Sequence, residues 1–418
     1  MEELIPITTI PAPSKNHLAP FIALQHRDFR LLWMGQLISQ AGTQMQMVTI
    51  NWHIYLLTGS ALSLGLAGLV RFAPIVVFSL IGGVFADTHD RRRIILFTQS
   101  AMMLFAAILG LLTYSRWISL SVIYVLVAFT AAALAFDAPA RQALPPNLVP
   151  REHLANALSL NNINYQTGSI VGPGLAGFVI AWKGVAAVYW INAASFLAVL
   201  IGVMLMRTPT QQEMRSTDIN LGALREGIRF LRRSQILLSL MLLDFFGTFF
   251  SSASALLPIF AHEILRVGPR GLGILYSAQA VGAVIAGGGM SFAGNIRAKG
   301  PLVLWVLALY GTATALYGMS HWFTLSVFFL AMVGATDTFS TILRSTIRQM
   351  VTPDHLRGRM GSLNMLFSRG GPQLGNLEAG IVASLIGAPF SVVTGGIATV
   401  ITVAGVAWLV PHLRNYQD

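Results

Sequence analysis

The stretch LVPREHLANALSLNN, residues 148–162, runs into Gly168, Gly172, Gly177 and Gly184; the stretch MVTPDHLRGRMGSLNML, residues 350–366, runs into Gly371, Gly375, Gly380 and Gly387. The Ser-Leu-Asn triplets at 159–161 and 362–364 stand 203 positions apart, and so does each glycine pair. A triplet and four glycines sharing one offset mark a duplication. Whatever the fold is, it is built twice.

The composition says in what medium. Of 418 residues, 55% are hydrophobic and only 10% charged, against about 25% charged in a soluble domain. At about 20 residues per crossing, the apolar residues with the 39 glycines suffice for on the order of twelve membrane helices. Apolar segments recur near 30–57, 62–86, 94–115, 118–137, 156–182 and 185–206, and again near 236–262, 271–293, 301–320, 322–343, 361–386 and 388–410. The expected fold class is therefore an all-α membrane protein with twelve transmembrane helices in two pseudo-symmetric halves of six. Cysteine is absent, which excludes disulfides, thiolate metal sites, iron–sulfur clusters and cysteine nucleophiles.

The basic residues test the count, because positive loops stay cytoplasmic. With twelve spans, 21 of the 27 Lys and Arg residues fall on the inner side, Arg344 and Arg348 among them, and only Arg116, Lys183, Arg266 and Arg270 on the outer. The net charge of +11 is thus topological and does not imply nucleic acid. The expected organisation is a cytoplasmic tail (1–27) that does not fit a cleavable signal peptide, a six-helix half (28–206), a cytoplasmic linker (207–235), a second half (236–410) and a short cytoplasmic tail (411–418). In the linker, Leu221, Leu224, Ile228 and Leu231 recur at helical spacing opposite Arg225, Glu226, Arg229, Arg232 and Arg233. That pattern suits an amphipathic helix on the lipid of the inner leaflet, or one packed on the bundle with a solvated charged face. Because each half begins and ends on the same side, the repeats run parallel, an arrangement that puts a cavity between them near the midplane.

Three motifs carry a resemblance. After the second span the chain reads Gly82-Gly83-Val84-Phe85-Ala86-Asp87-Thr88-His89-Asp90-Arg91-Arg92-Arg93, which resembles the loop signature of the major facilitator superfamily, with Thr88 and Asp90 as departures. Physically, Gly83 permits close helix packing, Asp87 suits a helix N-terminus, and Arg91 to Arg93 hold the inner side; the resemblance implies that Gly83, Asp87, Asp90, Arg91 and Arg92 form a conformational latch, the alternative being that the arginines are simply topogenic. In span five, Gly168, Gly172, Pro173 and Gly177 are similar to the antiporter motif of facilitator exporters, with Ala176 in place of one glycine. Phe136-Asp137-Ala138-Pro139-Ala140-Arg141-Gln142 and the residues after it look like the fourth-to-fifth connection of the third drug:proton antiporter branch, which includes macrolide and enterobactin exporters. The resemblance implies the facilitator fold and outward transport. In that fold spans one, four, seven and ten line the cavity, and the arginine that many such antiporters carry early in span four is missing here.

Ionisable residues within spans mark function by default. Six qualify: Arg71, Asp137, Asp244, Asp337, Arg369 and Glu378. The fold would turn Asp137, Asp244 and Asp337 toward the cavity, where desolvation suits a carboxylate to carrying protons. Against that, Asp137 and Arg141 stand i, i+4 and can pair on one helix. Arg369 and Glu378 are nine apart, on opposite faces, and cannot satisfy one another. Gln36, Gln40 and Gln44 form one stripe of span one, continued by Asn51, Trp52 and His53; Asn161, Asn164 and Gln166 give span five a similar surface. His53 reads as a hydrogen-bonded wall residue or, less readily, as a proton relay.

No phosphate-binding G-x-x-x-x-G-K-[ST] loop occurs, so no nucleotide and no cofactor is expected, and an ion gradient is the energy source. The expectation is a monomeric, multi-pass transporter of the cell membrane, not an enzyme, with both termini cytoplasmic, driven by protons and exporting a small amphipathic molecule, drug-like or a siderophore. Uptake or flipping of a lipid-like solute is the alternative within transport; a nontransporting sensor or scaffold is the alternative outside it.

Overall fold

The computed structural model describes residues 21–208, 229–232, 234–252, 254–292, 298–353 and 356–416, without the side chains of Leu80, Val84, Asp87, Arg359, Ser362 and Leu366. Most of the linker, and with it the expected amphipathic helix, lies outside the described residues, as does the N-terminal tail to residue 20.

Among the described residues are twelve helices of sixteen residues or more: α1 (Arg27–Thr58), α2 (Ala61–Thr88), α3 (Arg91–Tyr114), α4 (Leu120–Gln142), α5 (Leu154–Lys183), α6 (Val185–Met204), α7 (Gln235–Phe250), α8 (Gly268–Phe292), α9 (Lys299–Met319), α10 (Phe323–Val351), α11 (Arg357–Ile386) and α12 (Ala388–Leu409). Their starts follow the sequence: Ser60, Ser119 and Ser234 cap α2, α4 and α7 by accepting from the amide three residues on, and Asp90 caps α3. Gly184 (φ +81°) and Gly387 (φ +92°), 203 positions apart, make the turns from α5 into α6 and from α11 into α12, in a left-handed conformation that suits glycine. Beyond Phe250 the helix breaks, and the chain resumes as a short turn (Leu257–Ile259) and a π-helical turn (Phe260–Ile264).

Among the described residues, nine candidate spans are long and apolar enough to cross a membrane. Helices α1, α5 and α11 are not among them, because each spends a face on Gln, Asn or charged residues. Trp117, Trp182 and Trp322 are strongly exposed where α3, α5 and α10 meet their turns, as membrane-interface aromatics are.

Within the first six helices α1 packs on α5 and α6, α3 on α4 and α6, and α2 on α4; within the last six, α7 packs on α11 and α12, α9 on α10 and α12, and α8 on α10. Each contact in one set has its counterpart in the other. Two long crossings join the sets, α2 with α11 and α5 with α8. Both are made at glycine: a Cβ at Gly65 would lie 3.0 Å from Gly380 Cα, and one at Gly177 would lie 3.0 Å from Gly273 Cα.

These crossings lie at the end remote from the start of α1 and the finish of α12, here called the distal end. There one apolar core runs through both sets, from Tyr55, Leu64 and Tyr189 to Phe260, Leu275 and Tyr317. Toward the proximal end the cores separate, one confined to the first set around Phe29, Ile95 and Val203 and others to the second around Leu240, Val303 and Ile347. Gly83, Gly288 and Gly361, all proximal, face open space. The two sets share an apolar core distally and have separate cores proximally.

Candidate transport pathway and coupling cluster

The distal closure is polar as well as apolar. Arg71 on α2 donates to Asn51 Oδ1 (3.2 Å), Asn51 Nδ2 donates to the Tyr276 hydroxyl on α8 (3.0 Å), and Tyr276 donates to the Ser254 carbonyl (2.7 Å). One chain of hydrogen bonds therefore runs from the first set to the second. Ser252 beyond α7 donates to Asn376 Oδ1 on α11 (2.6 Å). Farther out, the Tyr55 hydroxyl donates to Glu263 in the π-helical turn (2.5 Å), and Trp52 packs on the His262 ring at 5.9 Å between centroids. His53 is buried and shares a hydrogen bond with Tyr189 (3.1 Å), the geometry of a wall residue.

The glutamine stripe turns toward α5. Gln44 donates to Ser169 Oγ (2.9 Å), Gly168 lies against Gln40, and Gly172 against Gln44, so the small residues of the α5 motif make room for the stripe. Gln36 is half-buried. Asn164 is buried and donates to the Trp33 carbonyl (3.0 Å), whereas Asn161 and Gln166 are half-buried. Pro173 lies inside α5 and its carbonyl approaches Gly273 of α8.

The residues expected to form the latch make hydrogen bonds across the proximal end of the first set. Arg91 donates to the Ala143 carbonyl past the end of α4 (3.0 Å), and Arg92 to the Met204 carbonyl ending α6 (2.8 Å). Both place a cation on a helix C-terminus, where the dipole favours it. Asp90 accepts from the Arg92 amide (2.9 Å). The close approach falls on Gly82, against the Ala135 carbonyl of α4, and not on Gly83, which has nothing within 4 Å; the reading of Gly83 as the packing glycine is corrected accordingly. The Asp87 side chain lies outside the described residues.

Asp137 is completely buried between α3 and α4. It accepts from Thr98 Oγ1 (2.9 Å) and Gln99 Nε2 (3.0 Å) and pairs with Arg141 at 2.5 Å. All four residues belong to the first set, the arrangement of an internal ion pair.

Asp244 stands differently. Its carboxylate pairs with Arg344 of α10 (2.9 Å) and accepts from Ser368 of α11 (2.6 Å). Arg348 hydrogen-bonds Asn364, whose Nδ2 donates to Ser368 (3.2 Å). These residues surround a cavity of about 80 Å³. The expected end of the tenth span at 343 is too early: α10 continues to Val351, carrying Arg344 inside, 4% exposed. Apolarity falls off before the helix does, and the arginine is tolerated because Asp244 meets it. No single-helix pattern signals a pair between α7 and α10; the only cue is a carboxylate in one apolar span and an arginine ending another.

Asp337 lines a neighbouring cavity of about 120 Å³ with Thr248, Gln279, Tyr310, Thr314 and Tyr317. Arg369 is exposed on α11, within electrostatic reach of Tyr165 of α5, and next to it Phe72 and Phe245 close on Gly370. Glu378 is half-buried on the same helix. Among the described residues, no group of three or more His, Cys, Asp or Glu could hold a metal ion.

The family profile described as "transmembrane secretion effector" matches residues 17–417. The chain belongs to the transmembrane secretion effector family, within the major facilitator superfamily. Among the relatives of this secretion effector is the enterobactin exporter EntS of Salmonella choleraesuis (strain SC-B67), 26% identical over 398 residues, 94% of each chain. EntS of Shigella boydii serotype 18 (strain CDC 3083-94 / BS512) is 28% identical over 341 residues, 81% of each. A solved bacterial homologue of the human lysosomal transporter Spinster, inward-facing and occupied, shares the fold with a TM-score of 0.71 at 15% identity, covering 93% of this chain and 96% of that one. A bacterial homologue of the iron transporter ferroportin, also inward-facing, gives 0.68 at 17% identity, covering 93% and 98%. The chain is thus a multi-pass membrane transporter of facilitator fold and not an enzyme.

Proposed function

We propose that the protein exports a small amphipathic molecule, of siderophore or drug-like type, from the cytoplasm in exchange for protons, by alternating access between two halves of six spans each. The observation that carries this reading is the asymmetry of closure. Glycine crossings, a shared apolar core and a hydrogen-bond chain join the two sets at the distal end, while toward the proximal end each set has its own core, which we read as a proximal opening. With both termini cytoplasmic in a cell inner membrane, as the basic loops suggest, the parted end is the one that loads cargo. Arg369, Tyr165, Phe72 and Phe245 offer a cation beside aromatic surface, which suits a bulky solute with an apolar body and a polar edge. The relatives' name, enterobactin exporter, supports a siderophore-like cargo and outward direction.

Asp244 is the proton carrier in this reading. It is the carboxylate of the second half that is both ion-paired and beside a cavity, so protonation would undo a defined contact. Asp137, enclosed in the first half with Arg141, is structural. Glu378 is not needed for the scheme; Arg71, Asn51 and Tyr276 form the distal gate. The protein acts as a monomer surrounded by lipid.

The test uses cells lacking their own efflux pumps, loaded with a fluorescent amphipathic dye or with enterobactin. Expression should lower retention, and collapsing the proton gradient should restore it. Retention equal to that of the empty vector for both solutes would refute export, and export indifferent to the gradient would refute proton coupling.

A further inference from the structure

The repeat that duplicates the glycines also duplicates Phe136 as Phe339, Arg141 as Arg344 and Pro150 as Pro353, all 203 positions apart. The two arginines then part company. Arg141 is locked to Asp137, one turn back on its own helix. The residue equivalent to Asp137 is Ser340, whose buried hydroxyl has no hydrogen-bond partner among the described residues. Arg344 has therefore lost its intrahelical lock, and it faces two carboxylates instead of one.

The first is Asp244, at 2.9 Å. The second is Asp337. Seven residues separate Asp337 from Arg344, which puts them on one face of α10, about 10 Å apart along the axis. Long side chains on a helix lean toward its N-terminus, and Arg344 does so: its Nη2 donates to Thr341 Oγ1 at 3.0 Å. The guanidinium thus stands level with Thr341, one turn short of Asp337. Its Nη1 is buried and makes no hydrogen bond among the described residues. Asp337 makes no hydrogen bond or ion pair among the described residues, and Arg344 and Asp244 are the charged groups acting on it.

We infer that Arg344 is a positioning residue that serves both carboxylates in turn. While Asp244 is ionised the guanidinium stays on it; when Asp244 takes up a proton, the guanidinium swings one turn along α10 to Asp337. Arg344 is the cation that acts on both carboxylates, while Arg348 also acts on Asp244; the incoming proton enters at Asp244 while its Ser368 bond is kept. The other groups facing Arg344 do not compete. Arg348 on the same helix is held by Asn364 and Ser345, Tyr310 of α9 is a neutral phenol, α8 offers Gln279 across the Asp337 cavity, and α11 offers Asn364 and Ser368. The swing couples α7 to α10, so α7 loses its tie when the proton arrives. This inference rests on the proton-coupled reading above, but its test needs no cargo.

The experiment is an infrared titration of the protonated-carboxyl band in purified full-length protein, with D244N, D337N, R344K and R344Q. Sharing makes the two sites reciprocal. In D337N and in D244N the remaining carboxyl should stay ionised to lower pH than in the parent, since each carboxylate then keeps the guanidinium to itself. R344Q should raise both midpoints, and R344K, which keeps the charge, should restore part of the shift. If R344Q does not yield folded protein, the D244N and D337N pair still decides. A midpoint for either carboxylate that ignores removal of the other overturns the inference. Export insensitive to the proton gradient, with reciprocal midpoints intact, would instead overturn the coupling scheme alone.

Discussion

Adding one methyl group at each distal glycine crossing should open the sealed end. In Gly177→Ala the new Cβ would sit 2.4 Å from the Pro269 carbonyl oxygen and 3.0 Å from Gly273 Cα; in Gly65→Ala it would sit 2.7 Å from the Asn376 carbonyl oxygen and 3.0 Å from Gly380 Cα. These are backbone atoms and cannot swing aside. Comfortable contact needs about 3.5 Å or more, so each crossing must widen by roughly 1 Å. Overpacking of this kind costs about 1–3 kcal/mol, felt only while the distal end is closed. Each substitution should therefore shift the equilibrium by about 5- to 150-fold toward the distally open state, and the two together by roughly the product. The absence of native cysteine makes spin labelling clean. Labels at Arg116 and His321, both exposed at the distal end, should gain a longer-distance population in G65A/G177A, while labels at Arg93 and Met350, exposed at the proximal end, gain a shorter one. Gly288→Ala, where nothing lies within 4 Å, should leave both distributions unchanged. Folded G65A/G177A protein with the parent's distributions at both ends would refute the reasoning.

Two further outcomes follow from buried charge. Arg141→Ala leaves the fully buried Asp137 carboxylate with only Thr98 and Gln99, which should destabilise the first set by about 3 kcal/mol; an unchanged thermal unfolding midpoint in detergent would contradict this. At the proximal end, burial raises the Asp28 carboxyl, but hydrogen bonds from Thr208 and Arg207 and the charge of Arg27 outweigh it and hold the group below the usual carboxylate range. Its stabilisation is thus present above that range and lost as the pH falls through the lowered value. Hydrogen exchange at the Arg207 and Thr208 amides, corrected for intrinsic rate, should quicken there and should already be fast in Asp28→Ala at neutral pH; equal protection in both proteins would count against the anchor.

What the sequence discloses and what it hides divide along physical lines. The long apolar helices and the glycine repeat are local or periodic signals, and they read directly. The Asp137–Arg141 pair is visible from its i, i+4 spacing, but Thr98 and Gln99 are not, because nothing in α4 announces what α3 presents to it. Hydropathy ends the tenth span just before Arg344, yet the helix runs on to Val351, since backbone hydrogen bonding does not depend on side-chain polarity and Asp244 compensates the buried charge. The choice between Gly82 and Gly83 depends on helix rotation, which two adjacent glycines leave undetermined. The break of the seventh span at Phe250 has no proline or glycine at the break itself to announce it; Ser251 and Ser252 instead take tertiary partners, Thr399 and Asn376.

Proton-driven export is most directly tested in vesicles reconstituted with purified protein, using enterobactin and a fluorescent amphipathic dye as solutes and a trapped pH-sensitive dye to follow protons. An imposed proton gradient should drive at least one solute uphill with counterflow of protons, and Asp244→Asn should abolish uphill movement while the protein remains folded. Solute movement at one rate with or without the gradient, or uphill transport preserved in Asp244→Asn, would contradict it.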